Sequence, residues 1–238
     1  MDAVLEPLKV PSLKDACVRK LEGLILSGEI RIGEKLPSER KLADMLGISR
    51  PVVHEALVDL AVKGLVEIVP RKGVYINDFR TTGSCALLSS LLAYHEGGLD
   101  GPFSHSLIAM RMLMEVETAR LAAANRTDAQ IRQLRELLAQ ELDADAGDSE
   151  TLTELDFSFH LSVSIASGNL MYPLIMNSFK AVYTNLTRQF FTKHKHSPIV
   201  GEVYAFHSRL VDAIASCDSE SAGQVMAEML QHGAEHLL

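Results

Sequence analysis

The apolar positions change their period partway along the chain. Over residues 12–27 they recur at helical spacing, with Leu13, Cys17, Leu21, Leu24 and Ile25 on one face. A short helix through Leu46 follows Ser38, whose hydroxyl suits an N-cap, and Glu39 sits in the first turn where the helix dipole favours a carboxylate. Gly47 ends it. Ser49 caps a third helix, with Pro51 tolerated in its first turn; it carries Val52, Val53, Ala56, Leu57 and Leu60 and stops at Gly64. GLVEIVPRKGVYI then reads as two short β runs around a turn from Pro70 to Gly73. Beyond residue 80 the i, i+3, i+4 spacing takes over and proline becomes sparse. Helices are expected over 84–95, 103–126, 128–143, 150–167, 170–194, 199–216 and 219–236. Their breaks fall at Gly97–Gly98, Thr127–Asp128, Gly147, Gly168–Asn169, Pro198 and Cys217–Ser219.

This pattern predicts a mainly α protein in two domains. Residues 1–79 read as a winged helix-turn-helix with a small β-hairpin wing, and residues 80–238 as an all-α bundle of six or seven helices. In the first, two short helices meeting at a glycine turn present the N-terminal residues of the second to a major groove, and the hairpin tip can reach the backbone or the adjacent minor groove. Arg40, Arg50, Arg71 and Lys72 fall at helix N-termini and at the wing tip. Singly, each is an ordinary solvated charge. Together, at this spacing, they make a reading set for double-stranded DNA.

Charge sharpens the division. The net charge of −8 argues at first against a nucleic-acid partner. Residues 1–80, however, hold 13 Lys/Arg against 12 Asp/Glu, leaving 10 against 19 for the remainder, so the excess acid belongs to the helical part. The length of 238 residues and an apolar share of 47% allow ample cores and exclude a disordered chain. No apolar run reaches membrane-spanning length, and the opening MDAVLEPLKVPSLKD lacks the apolar core of a signal peptide. Three cysteines without CxxC spacing fit free thiols in a reducing cytoplasm.

LPSERKLADMLGISRPVVHEALVDLAVKGLVEIVPRKGVYI strongly resembles the DNA-binding domain of the GntR family of bacterial transcription regulators, a likeness nearly continuous from residue 12 to 77. The resemblance implies that Arg40 and Arg50 contact DNA and that Gly73 lets the wing approach a groove. His54 stands where the family usually has arginine. Imidazole can still hydrogen-bond there, with less charge and a shorter reach.

In the second part, Leu152, Leu155, Phe159, Val163 and Ala166 form an apolar face, and Asp156 and His160 lie one turn apart at its edge. His207 shares a face with Leu210, Val211 and Ile214, and His232 and His236 accompany Val225, Met226 and Met229. An inward histidine is commonly a hydrogen-bonded core residue. An aspartate with three histidines from three helices points instead towards a divalent metal of the Zn, Ni or Mn class. The KHKH run at 193–196 reads as a solvated helix end.

DFSFH…SGN…FHSRLVDAI resembles the FCD ligand-binding domain of the FadR-like subgroup, many of whose members bind a divalent metal through Asp-x3-His and two later histidines. That likeness implies Asp156, His160 and His207 as ligands, but its final histidine position falls on Met229. Either His232, one turn on, substitutes; or three protein ligands are completed by water and effector; or no metal binds. Arg111 and Glu115 match the subgroup's R-x3-E pattern, whose arginine can hold an effector carboxylate; Asn169, after Gly168, reads from sequence as a loop or cap residue, and the same resemblance offers it as a cavity hydrogen-bonder. The resulting expectation is a cytoplasmic, homodimeric repressor controlled by a small carboxylate effector, with a metal-free sensor of acyl-CoA or another lipid-type ligand as the alternative. An enzyme is disfavoured. Asp/His metal sites can activate water, but no acid or base can be assigned, and an enzyme has no need of residues 12–77.

Overall fold

A computed structural model describes residues 12–94 and 102–237. The break expected at Gly97–Gly98 lies outside them. The chain divides into two compact units, Met1–Glu96 and Gly97–Leu238.

In the first unit, α1 (Leu13–Leu26) starts at Ser12, whose hydroxyl accepts from Asp15 N at 3.1 Å. The second helix, α2 (Glu39–Leu46), is capped by Ser38 and closed by Gly47 at φ +66°, the left-handed conformation that glycine adopts without a Cβ penalty. This sharp stop aims α3 (Arg50–Val62) across α1. Ser49 occupies the N-cap of α3 but makes no side-chain cap bond; Pro51, lacking an N–H, removes one of the donors a cap would satisfy. The inner face of α3, Val53, Ala56, Leu57 and Leu60, is wholly buried. Strands β1 (Val66–Val69) and β2 (Gly73–Ile76) pair antiparallel in the register Val66↔Ile76 to Val69↔Gly73, with Lys35 bridging to Tyr75 on the outer edge.

Two further helices belong to this unit, α4 (Phe79–Thr82) and α5 (Leu87–Tyr94). The sequence reading has the domain ending at residue 79 and a helix from 84 in the second part. In the structure α5 lies on α1, and Leu87 and Leu91 join the core of the first unit. A polar clamp accounts for this. Buried Glu22 on α1 accepts from Ser90 Oγ at 2.6 Å and from Lys63 Nζ at 2.7 Å, so removing α5 would strip a buried carboxylate of a partner.

The second unit contains seven described helices: α6 (Pro102–Asn125), α7 (Asp128–Asp143), α8 (Ser149–Ala166), α9 (Met171–Ser178), α10 (Lys180–Lys193), α11 (Pro198–Ala215) and α12 (Ser219–Leu237). A capping box between Thr127 and Gln130 starts α7. Helices α6, α7, α8, α11 and α12 share one core around Phe159, Val163, Leu210, Ile214 and Met226. The single helix expected over 170–194 is two helices. Phe179, at φ −113° and ψ 17°, leaves the helical region and buries its ring, while Ser178 Oγ bonds back to Ile175 O at 2.6 Å. No glycine or proline marks this break; tertiary burial and a local side-chain bond override helical periodicity.

Candidate functional site

On the first unit, Arg40, Arg50, His54, Arg71 and Lys72 are all exposed. Arg50 and His54 stand one turn apart on the outer face of α3, opposite the residues that anchor it. Glu39, at the start of α2, reaches both: Arg50 Nε donates to Oε2 at 3.0 Å, and His54 Nδ1 lies 2.8 Å from Oε1. Its carboxyl is held below the usual carboxylate range, first by the His54 bond and then by Arg50. From sequence Glu39 was only a dipole residue; its pairing role follows from the angle between α2 and α3. At the wing, Arg71 takes φ +64° and Gly73 φ +121°, a conformation L side chains rarely adopt, so the turn pushes Arg71 and Lys72 outward.

In the second unit, α8 brings Asp156 and His160 inward and α11 brings His207 against them. All three are buried, and their donor atoms lie within 4.8 Å of one another. Asp156 Oδ1 is 3.7 Å from His207 Nε2 and 4.0 Å from His160 Nε2. Each histidine is held from behind by an acid. His207 Nδ1 donates to Glu141 at 2.9 Å, and His160 Nδ1 lies 2.6 Å from Glu115 Oε2, although off the line of a straight hydrogen bond. Both rings are thereby turned so that Nε2 faces Asp156. Phe159 stacks on His207 with centroids 3.9 Å apart and locks its plane.

The other carboxylate oxygen of Asp156 accepts from Tyr183 Oη at 2.9 Å and, more weakly, from Thr187 Oγ1 at 3.4 Å. Tyr183 Oη also accepts from Arg111 Nη2 at 3.0 Å, and Arg111 Nε donates to Glu115 at 2.6 Å. Hydrogen bonds therefore link Glu115, Arg111, Tyr183 and Asp156 in turn, and His160 stands between Glu115 and Asp156 in the same polar ring, 2.6 Å from the one and 4.0 Å from the other. Burial works against charge on Glu115, but Arg111 and then His160 override it and pull its carboxyl down to about 2. Burial likewise opposes charge on His207, and Glu141 overrides it, raising the imidazole above its ordinary value. Burial also raises the Tyr183 phenol, which stays protonated.

A cavity opens onto this ring. Arg111, Asp156, His160 and Thr187 supply its polar side, and Leu186, Phe190, Phe191 and Leu230 line its apolar walls. The donor set, two imidazole nitrogens and a carboxylate oxygen, fits a borderline divalent cation. So does His207 Nε2, which is buried without a hydrogen-bond partner.

Two expectations need correction. His232 lines the cavity but does not join the converging donors; its Nε2 is 3.2 Å from Glu202. Three residues beyond Met229 on α12, its side chain is rotated by roughly 60° and raised by about 4.5 Å, which carries it past Asp156. Met229 itself is buried in the wall. Asn169 is exposed outside the cavity. Gly168, at φ +75°, turns the chain outward, and Asn169 Oδ1 accepts from Met171 N at 2.9 Å at the entry to α9. Conversely, sequence reading passed over Glu141 and Tyr183. Glu141 had a signal: it continues the buried stripe Ile131, Leu134, Leu138 of α7, where a carboxylate is out of place unless paired.

Comparison with known proteins places both units in described families. Residues 13–76 match the description "Bacterial regulatory proteins, gntR family" and residues 106–232 the FCD domain. The HTH-type transcriptional regulator LutR of Bacillus subtilis is 31% identical over 88% of this chain and 92% of its own. The fatty acid metabolism regulator protein of Yersinia enterocolitica is 29% identical over 85% of this chain and 80% of its own. A solved structure of Lar, described as controlling expression of the Listeria monocytogenes agr system, shares the fold at TM-score 0.63, with 17% identity over 97% of this chain and 98% of its own. These relatives are regulators rather than enzymes, and the chain belongs with them, as an FCD-domain member of the gntR family of bacterial regulatory proteins.

Proposed function

We propose that this transcription regulator is a repressor whose second unit binds a divalent metal through Asp156, His160 and His207 and, beside it, a small organic acid. The observation that carries the reading is the pair of acid-backed histidines. Glu141 accepts from Nδ1 of His207 and Glu115 stands 2.6 Å from Nδ1 of His160, the outer-shell arrangement that orients imidazole ligands, and His207 Nε2 is left buried with no partner. A bound ion would supply concentrated positive charge with positions left for carboxylate or hydroxyl oxygens. Arg111 adds a second cation on the same side of the cavity, which an acidic domain needs if it is to hold a small anion. The apolar walls, and the likeness to a regulator of fatty acid metabolism, favour the competing acyl ligand. The polar set of Arg111, Glu115, His160, Asp156 and Tyr183 outweighs them, because an acyl chain gives those groups nothing to bind.

The exposed arginines of α2, α3 and the wing would grip operator half-sites, two heads per dimer. Leu170, Met171, Leu174 and Ile175 place an exposed apolar face on α9, a suitable surface for self-association. Effector would act by binding the DNA-competent and incompetent states with different affinity.

The test is calorimetry of metal-loaded protein against hydroxy, keto and sugar acids and against acyl-CoA, followed by fluorescence anisotropy on the DNA upstream of the protein's own gene. An acid that binds, and that lowers operator affinity, supports the reading. Tight acyl-CoA binding with no response to any acid refutes it.

A further inference from the structure

A second cluster of donors lies outside the ring just described. His232 and His236 occupy successive turns of α12, and Glu202 faces them from α11. One donor atom from each lies within 4.8 Å of the other two. His232 Nε2 and Glu202 Oε2 are 3.2 Å apart, close to the ~3.3 Å that separates neighbouring ligands around a tetrahedral ion with bonds near 2.0 Å. Yet Nε2 of His232 is buried and makes no aligned hydrogen bond, so the carboxylate stands beside it without satisfying it. The two histidine rings are packed with centroids 4.3 Å apart.

The surroundings hold the pair ready. Lys193 Nζ donates to His236 O at 2.9 Å, and His194 Nε2 lies 3.0 Å from the same oxygen, tying the last turn of α12 to the end of α10. Phe206 packs against the ring of His232, with centroids 5.3 Å apart.

We propose that Glu202, His232 and His236 form a second divalent-cation site, distinct from Asp156, His160 and His207, that takes borderline ions of the Zn(II), Ni(II) or Cu(II) class. Histidines at i and i+4 on one helix with a carboxylate from another suit such ions, and Glu202 is solvent-exposed, leaving coordination positions for water. Because His232 also lines the effector cavity, an ion here would pin α11 to α12 along that wall.

The experiment is calorimetric titration of chelator-stripped, full-length protein with Zn(II), comparing wild type with E202Q, H236A and H207A. Helix content is checked by circular dichroism. The expected result is two equivalents for the wild type, with the weaker lost in H236A, weakened at least tenfold in E202Q, and retained in H207A. A single equivalent that H236A removes and H207A leaves intact would uphold this site while refuting the Asp156 centre. No binding in the wild type, or E202Q and H236A matching it in stoichiometry and affinity, overturns the proposal.

Discussion

Acid should weaken the second unit in a way that one side chain accounts for. Glu115 is almost fully buried between Arg111 and His160, and its carboxyl is pulled from 4.5 to about 2. A group whose folded pKa is depressed stabilises the fold above its unfolded pKa and loses that contribution as pH falls towards the folded value. At 1.36 kcal/mol per unit, a displacement from 4.5 to about 2 corresponds to roughly 3 kcal/mol at neutral pH. Near pH 3 the unfolded chain is almost fully protonated at this site and the folded chain is not, so about 2 kcal/mol of it has gone. Glu115→Gln imitates the protonated acid. Urea unfolding followed by circular dichroism, from pH 7 to pH 3, should show the variant less stable by roughly 3 kcal/mol at pH 7, with the gap shrinking to about 1 kcal/mol at pH 3. Parallel curves, with a constant gap or none, would refute the assignment of this charge to the ring.

Replacing Arg50 by Ala should weaken operator binding and reduce the slope of log affinity against log salt by about 1, read by anisotropy across a salt series. Glu141→Gln should lower metal affinity by about 10- to 100-fold without unfolding the protein, because it loosens the orientation of His207 rather than removing a ligand; an unchanged titration would contradict the outer-shell role. Phe159→Ala removes a fully buried ring stacked on His207 and should cost about 3–5 kcal/mol in denaturant unfolding. Leu174→Asp on the exposed face of α9 should shift the protein towards monomer in sedimentation equilibrium, and an unshifted profile would move the dimer contact elsewhere.

Most of the first unit was legible because its punctuation is local. Ser38, Gly47, Gly64 and Gly73 each act within a few residues, through caps and positive φ, and the elements between them follow. The membership of α5 was not, since it depends on Ser90 reaching Glu22 across 68 positions of sequence. The same distinction runs through the second unit. The spacing of Asp156 and His160 on one helix is a local fact, and the inward face of His207 follows from periodicity. Tyr183 and Glu141 join them only through packing of α10 and α7 against α8 and α11. The step from Met229 to His232 misled because one turn on a helix looks like a small offset in sequence. In a buried site it is a displacement longer than a metal–ligand bond.

Tyr183 is shared. Its hydroxyl accepts from Arg111 and donates to Asp156, so the group proposed to hold an acid and a group proposed to hold a metal lean on one oxygen atom. A carboxylate that draws Arg111 towards itself must alter that hydroxyl, and with it the oxygen of Asp156. The two binding events then cannot be independent. Whatever factor the metal contributes to the acid's affinity, the acid returns to the metal's, because the cycle of states closes. The regulator would therefore report on the joint supply of a metal and a metabolite rather than on either alone.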